Sequence, residues 1–150
     1  MNSQSVATRQ AVAVLGAHGG AGVTTVTAFL DPATTGNAIE LTPGSQLPLY
    51  YMPVLVAQST AFGMKRAAEM LGNWHPDLPR PWLVVVRDAP MAPPRPAKYR
   101  LRAIGSRVLG VAEVPYLYRL RGVDSPAEAL EYRAVSRAAE RLRRRFNLPK

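Results

Sequence analysis

The residues best suited to chemistry form one run, Gly16-Ala17-His18-Gly19-Gly20-Ala21-Gly22-Val23-Thr24-Thr25. It has the shape of a phosphate-binding loop. In such a loop the glycines let successive backbone N–H groups face the phosphates, a lysine adds a mobile positive charge, and a Ser/Thr hydroxyl holds magnesium. The glycines at 16, 19, 20 and 22 are present, as are Thr24 and Thr25, but the run holds no lysine. Phosphoryl transfer rests on positioning and charge stabilisation, so a loop without cations is expected to lose turnover even where its amides still face an anion. The alternative is a tight strand-to-helix turn that uses glycine only for positive φ angles. Four glycines within seven residues exceed what one such turn needs.

The flanking segments supply the context the motif requires. Ala11 to Leu15 is an apolar strand, and Val23 to Leu30 is a short, β-branched helix that Asp31-Pro32 ends. Residues 33–50 read mainly as loop, with a short strand at Ala38 to Leu41. Met52 to Ala57 is a second strand. Ser59 or Thr60 then caps a helix to about Leu71, with Met64, Ala67, Ala68 and Leu71 on one face and Gly72-Asn73 as its stop. Trp82 to Arg87 suits a buried parallel strand, a proline-rich turn covers 88–96, a basic helix runs from about Ala97 to Ile104, and Val108 to Val114 is the last strand. Ser125 and Glu128 form a capping box opening a helix over about 126–146, with Leu130, Ala134, Ala138 and Leu142 inward. The alternation predicts an α/β fold: a mostly parallel sheet of four or five strands flanked by helices, with ligands at the carboxyl ends of the strands. A flexible N-terminus (1–10) precedes one domain (11–146).

The loop resembles the deviant P-loop of the ParA/MinD family of bacterial partitioning and cell-division ATPases, Lys-Gly-Gly-x-Gly-Lys-Thr-Thr. Gly19, Gly20, Gly22, Thr24 and Thr25 match, His18 stands at the signature-lysine position and Val23 at the second lysine. An imidazole carries at best part of a charge near neutral pH, so His18 is a poor stand-in. Later segments are similar in the same order. Val54 to Thr60 looks like the strand after the family's Walker B element, Val84 to Asp88 like its base-side strand, and Leu109 to Tyr116 like its Gly-x-Ile-Pro-Tyr segment. The resemblance implies a truncated P-loop NTPase-like fold, a bacterial mobile-element type of protein, and Mg-ATP or Mg-GTP as the ligand of an intact loop. No clear Walker B aspartate stands between the first helix and Met52. Asp88, after a strong apolar strand, fits either a Walker B or a base-side position, or simply a turn before Pro90. Asp31 could approach magnesium, or act only as a helix stop.

Composition bounds the rest. The chain has 150 residues, 47% hydrophobic, with no cysteine and two histidines, which excludes disulfides and a zinc cage. His75, beside Trp74 and Pro76, reads as packing. No apolar run is long enough to span a bilayer, so a cytoplasmic location with no membrane partner is expected. The net charge is +9: residues 1–86 hold four Lys/Arg and four Asp/Glu, whereas 87–150 hold fifteen and six. Arg95, Lys98, Arg100, Arg102 and Arg107, with Arg133, Arg137, Arg141, Arg144 and Arg145, form either a solvated face, a nonspecific nucleic-acid surface or a surface for an acidic protein. Tyr116 and Tyr118 beside Arg119 and Arg121 read as packing, with base stacking as the alternative. Two functions follow: a non-catalytic binding or scaffold protein on a degenerate loop, or a nucleotide switch in which cations from elsewhere, such as Arg87, Arg119 and Arg121, replace the lysines.

Overall fold

The computed structural model describes residues 11–148. The predicted N-terminal segment 1–10 lies outside them. Five strands form one sheet: β1 (Ala11–Gly16), β2 (Ala38–Glu40), β3 (Tyr51–Gln58), β4 (Trp82–Val86) and β5 (Val111–Val114), in the order β2-β1-β3-β4-β5. Every pairing is parallel, as the continuous apolar runs predict. The helices are α1 (Val23–Leu30), α2 (Ala61–Gly72), α3 (Arg95–Ile104), α4 (Pro126–Ala129) and α5 (Arg133–Arg145).

The order of strands explains the layers. From β1 the chain steps to β2 on one side, then returns past β1 to β3 and continues the other way. Right-handed crossovers in opposite directions must use opposite faces of the sheet. Accordingly α1, joined later by α4 and α5, packs on Val12, Val14, Val54, Val56 and Val84. On the other face α2 and α3 pack on Leu55, Ala57, Leu83 and Val85. The reversal opens a crevice between the carboxyl ends of β1 and β3.

Local chemistry sets the element ends. Thr60 caps α2 by accepting from Gly63 N–H at 2.9 Å. Pro53 sits inside β3, yet Val56 already bonds toward β1, so by alternation Pro53 faces the β4 side, one residue before that pairing begins. Gly110 leaves room for the Trp82 ring, which a Cβ would strike.

Several expectations need correction. The last strand starts at Val111, since Gly105–Arg107 form a 3-10 turn. Helix α3 begins at Arg95, two residues early, because Pro96 is well suited to a first helical turn. The final helix is two helices. After α4 the N–H groups of Leu130 and Tyr132 turn back to Pro126 and Ala129, and α5 starts anew at Arg133. Leu130, Ala138 and Leu142 meet the core as expected, Val135 and Ala139 join them, and Ala134 is exposed. Ser125 makes no side-chain cap; only its carbonyl is used, by Glu128 N–H.

Gly63 has the least room of the glycines, because a Cβ there would run into the Gln58 carbonyl. Gly63→Ala is expected to lower stability by about 1–3 kcal/mol. Gly72→Ala, at a helical position with open space around it, should instead raise stability by about 0.5 kcal/mol. Urea denaturation of both variants measures the contrast.

Candidate functional site

The glycine loop lies at the crevice between β1 and β3. Gly16 ends β1, and Ala17 N–H donates to the Val56 carbonyl at 2.9 Å, tying the loop to β3. Gly20 and Gly22 have φ of 74° and 107°, the left-handed region that glycine alone adopts easily. Gly22 is the N-cap of α1 and lies against Val86. Gly19 and Gly20 are exposed, with open space where a Cβ would stand. Ala21 is buried in the core beneath α1, and Thr25 is half-buried.

The two residues that the resemblance aligns with lysines, His18 and Val23, are half-buried and border the cleft beside the loop, yet both make contacts within the protein. Val23 Cγ2 stands 2.9 Å from the point a Cβ on Gly16 would occupy, so the valine packs back over the start of the loop. His18 accepts from Gln58 N–H through Nε2 at 3.2 Å, and its Nδ1 lies 2.9 Å from the Gly19 carbonyl. With Nε2 accepting, Nδ1 is the ring nitrogen placed to donate to that carbonyl. The ring also meets Phe62 edge-on at 5.5 Å. His18 thus joins the loop to the end of β3 and the start of α2.

One site residue was missed by sequence reasoning. Thr24 Oγ1 donates to Glu40 Oε1 at 3.1 Å. Glu40 ends β2, the strand beside β1 on the side away from β3. The available signal was an acid closing the first strand after the loop helix; three residues of strand made it faint. Asp88 follows β4, which β3 separates from β1, and its carboxylate accepts from Ser59 Oγ at 3.1 Å.

Asp31 is at the far end of α1 from the loop and holds the turn into β2. Its carboxylate accepts from Thr35 N–H and Oγ1 at 3.0 and 2.8 Å and from Gly36 N–H at 2.9 Å, with Ala38 N–H at 3.4 Å. It does not approach the loop because α1 runs antiparallel to the strand it follows. Burial pushes this carboxyl up, but the bonds from Thr35, Ala38 and Gly36 outweigh it and hold its pKa below the usual aspartate value.

The cations expected to replace the lysines are engaged elsewhere. Arg87 meets Glu113 at 3.3 Å and the Met91 carbonyl at 2.6 Å. Arg119 lies over the rings of Tyr118 and Tyr132 at 5.0 and 4.4 Å, and Arg121 over Tyr116 at 5.6 Å. A cleft of about 590 Å³ beside the loop is walled by Gly16 to Gly19, Glu40, the turn 41–45, Met70 and Arg66. Arg66 is its lining cation, and it pairs with Glu69 at 3.0 Å.

These residues fit one half of a magnesium nucleotide. The Thr24 hydroxyl and Glu40 carboxylate are hard oxygen donors suited to magnesium. The loop does not fit a triphosphate, because it carries no lysine or arginine, the His18 ring is bonded to the protein's own backbone and an acid, Glu40, faces the cleft. No hydrolytic step follows from this set. Among the described residues no group of three His, Cys, Asp or Glu could hold a metal.

The basic residues divide. Lys98, Arg100 and Arg102 are on α3, on one face of the sheet, and Arg133, Arg137, Arg141, Arg144 and Arg145 are on α5, on the other. Arg100 bonds the Ala61 carbonyl at 3.2 Å and Arg144 pairs with Glu140 at 2.7 Å. His75 does not pack between elements; it is exposed, and its Nδ1 accepts from Asp77 N–H. Among the described residues no helix is long and apolar enough to cross a membrane. No family model, curated protein or solved structure matches the chain.

The Asp31 bonds carry a pH prediction. With a folded pKa below the unfolded one, their contribution is complete above pH about 4 and is lost as pH falls through the folded value. Asp31→Asn should be less stable at neutral pH and show a shallower loss on acidification than wild type, measured by denaturation at stepped pH.

Proposed function

We propose that this chain is a non-catalytic binding protein on a ParA/MinD-like P-loop scaffold, cytoplasmic, acting through a protein partner. The observation that carries the reading is the internal use of both lysine positions: Val23 folded over Gly16, and His18 bonded to Gln58 N–H and Gly19 O. A loop that grips a triphosphate needs cations free to move onto it. Here those positions hold the loop to the sheet. The glycine conformation then serves as architecture, letting β1 turn into α1 through a loop whose tip, Gly19 and Gly20, is exposed.

A nucleotide switch is the second reading, favoured by the Thr24–Glu40 pair at 3.1 Å, the donor set that a magnesium ion takes beside a phosphate loop. Calorimetric titration separates the two. Wild type should bind Mg-ATP and Mg-GTP no tighter than about 1 mM, whereas Val23→Lys should gain measurable affinity that Glu40→Gln removes. Micromolar binding by wild type, with phosphate release, would overturn the non-catalytic reading in favour of the switch.

A further inference from the structure

The sheet ends at β5, and this edge is unlike the β2 edge. Gly110 and Val114 direct their carbonyls to β4, where Leu83 and Arg87 N–H bond them, so Val111 and Glu113 turn their backbone groups outward. One outward carbonyl is covered: Arg145 reaches Val111 O at 3.5 Å, the limit of a hydrogen bond, while its guanidinium lies over Trp82 at 4.9 Å. An open strand edge is a ready template for another extended chain, and a loosely placed arginine is a removable guard.

Both sides of this edge are grooved, and both carry cations. Toward α5, a groove of about 410 Å³ has Ala112, Ala138 and Leu142 as its floor and Arg141 and Arg145 at its rim. Toward α3, a shallow depression is lined by Pro93, Ala97, Leu101 and Lys98. Glu113 borders both, and its charge is met by Arg87 at 3.3 Å. Side chains of an added strand alternate between the two faces of the sheet, so each side would find an apolar floor and a positive rim.

We propose that the β5 edge binds an extended acidic peptide of a partner protein as a sixth strand, its carboxylates meeting Arg141 and Arg145 on one face and Lys98 on the other. The charge of the surroundings selects this occupant. The whole excess of nine positive charges lies in residues 87–150, which contain β5 and both flanking basic helices. A second copy of the chain would bring two sets of α5 arginines alongside one another, which like-charge repulsion opposes. The proposal is independent of the glycine loop, which lies at the carboxyl end of β1, separated from β5 by β3 and β4.

The probe is a fluorescein-labelled peptide of about eight residues, Glu-Glu-Val-Val repeated, which places acidic and apolar side chains on both faces of a strand. Fluorescence anisotropy at low salt should show saturable binding by wild type and by Val23→Lys alike. Lys98→Glu and Arg141→Glu, at exposed positions outside any ion pair found among the described residues, should each weaken binding about fivefold or more. Methylation of alternate peptide nitrogens should abolish binding when it falls on the edge-facing set. Hydrogen exchange of wild type with bound peptide should slow at Val111 and Glu113, a readout that needs no variant to fold. Equal binding of the Lys-Lys-Val-Val peptide, protection confined to other residues, or binding of single-stranded oligothymidine with none of the acidic peptide would each overturn the proposal.

Discussion

The two central strands are removed from water on both faces, and that burial governs the architecture. Val12, Val14, Val54 and Val56 on one side and Leu55 and Ala57 on the other are fully buried. Each large aliphatic side chain so placed contributes about 1.5–3 kcal/mol relative to exposure. Strands of this kind are stable only with helices over both faces, and right-handed crossovers then require the chain to reverse direction beside β1. The crevice, the loop across it and the opposite placement of α1 and α2 all follow from that reversal.

Within the crevice, side chains of the loop are spent on holding it. His18 closes toward β3, Val23 closes over Gly16, and Thr24 reaches across to β2. The loop is therefore bonded to the strands on both sides of β1. The electrostatic consequence is a cleft with an acid at Glu40 and a cation at Arg66 already paired with Glu69. Such a site lacks the mobile positive charge that phosphoryl transfer uses.

The positive charge is likewise divided by the fold. Arg143 is buried and donates to the Phe29 carbonyl at 2.7 Å, securing the end of α1 to α5. Arg87 and Arg100 hold a strand end and the start of α2. These arginines are structural fasteners. Among the cations that face solvent, Lys98 on α3 and Arg141 and Arg145 on α5 lie on opposite faces of the sheet but converge on the β5 edge.

Local pattern alone determined the α/β class, the parallel sheet, the first helix from Val23 to Leu30 and the α2 boundaries, because apolar runs, Thr60, Asn73 and Asp31-Pro32 act within a few residues of where they stand. The partition of the last helix was not legible: Leu130, Ala138 and Leu142 meet the core as their helical period predicts, but the break at 130–132 leaves Ala134 exposed and brings Val135 and Ala139 inward. Nor was the pairing of Thr24 with Glu40, since the order of strands, not the sequence between them, brings β2 beside β1. Residue types declared that the loop lacks lysines. Only the tertiary structure decided where its remaining groups go, because hydrogen-bond partners forty residues apart, such as His18 and Gln58, meet through sheet order rather than through any local rule.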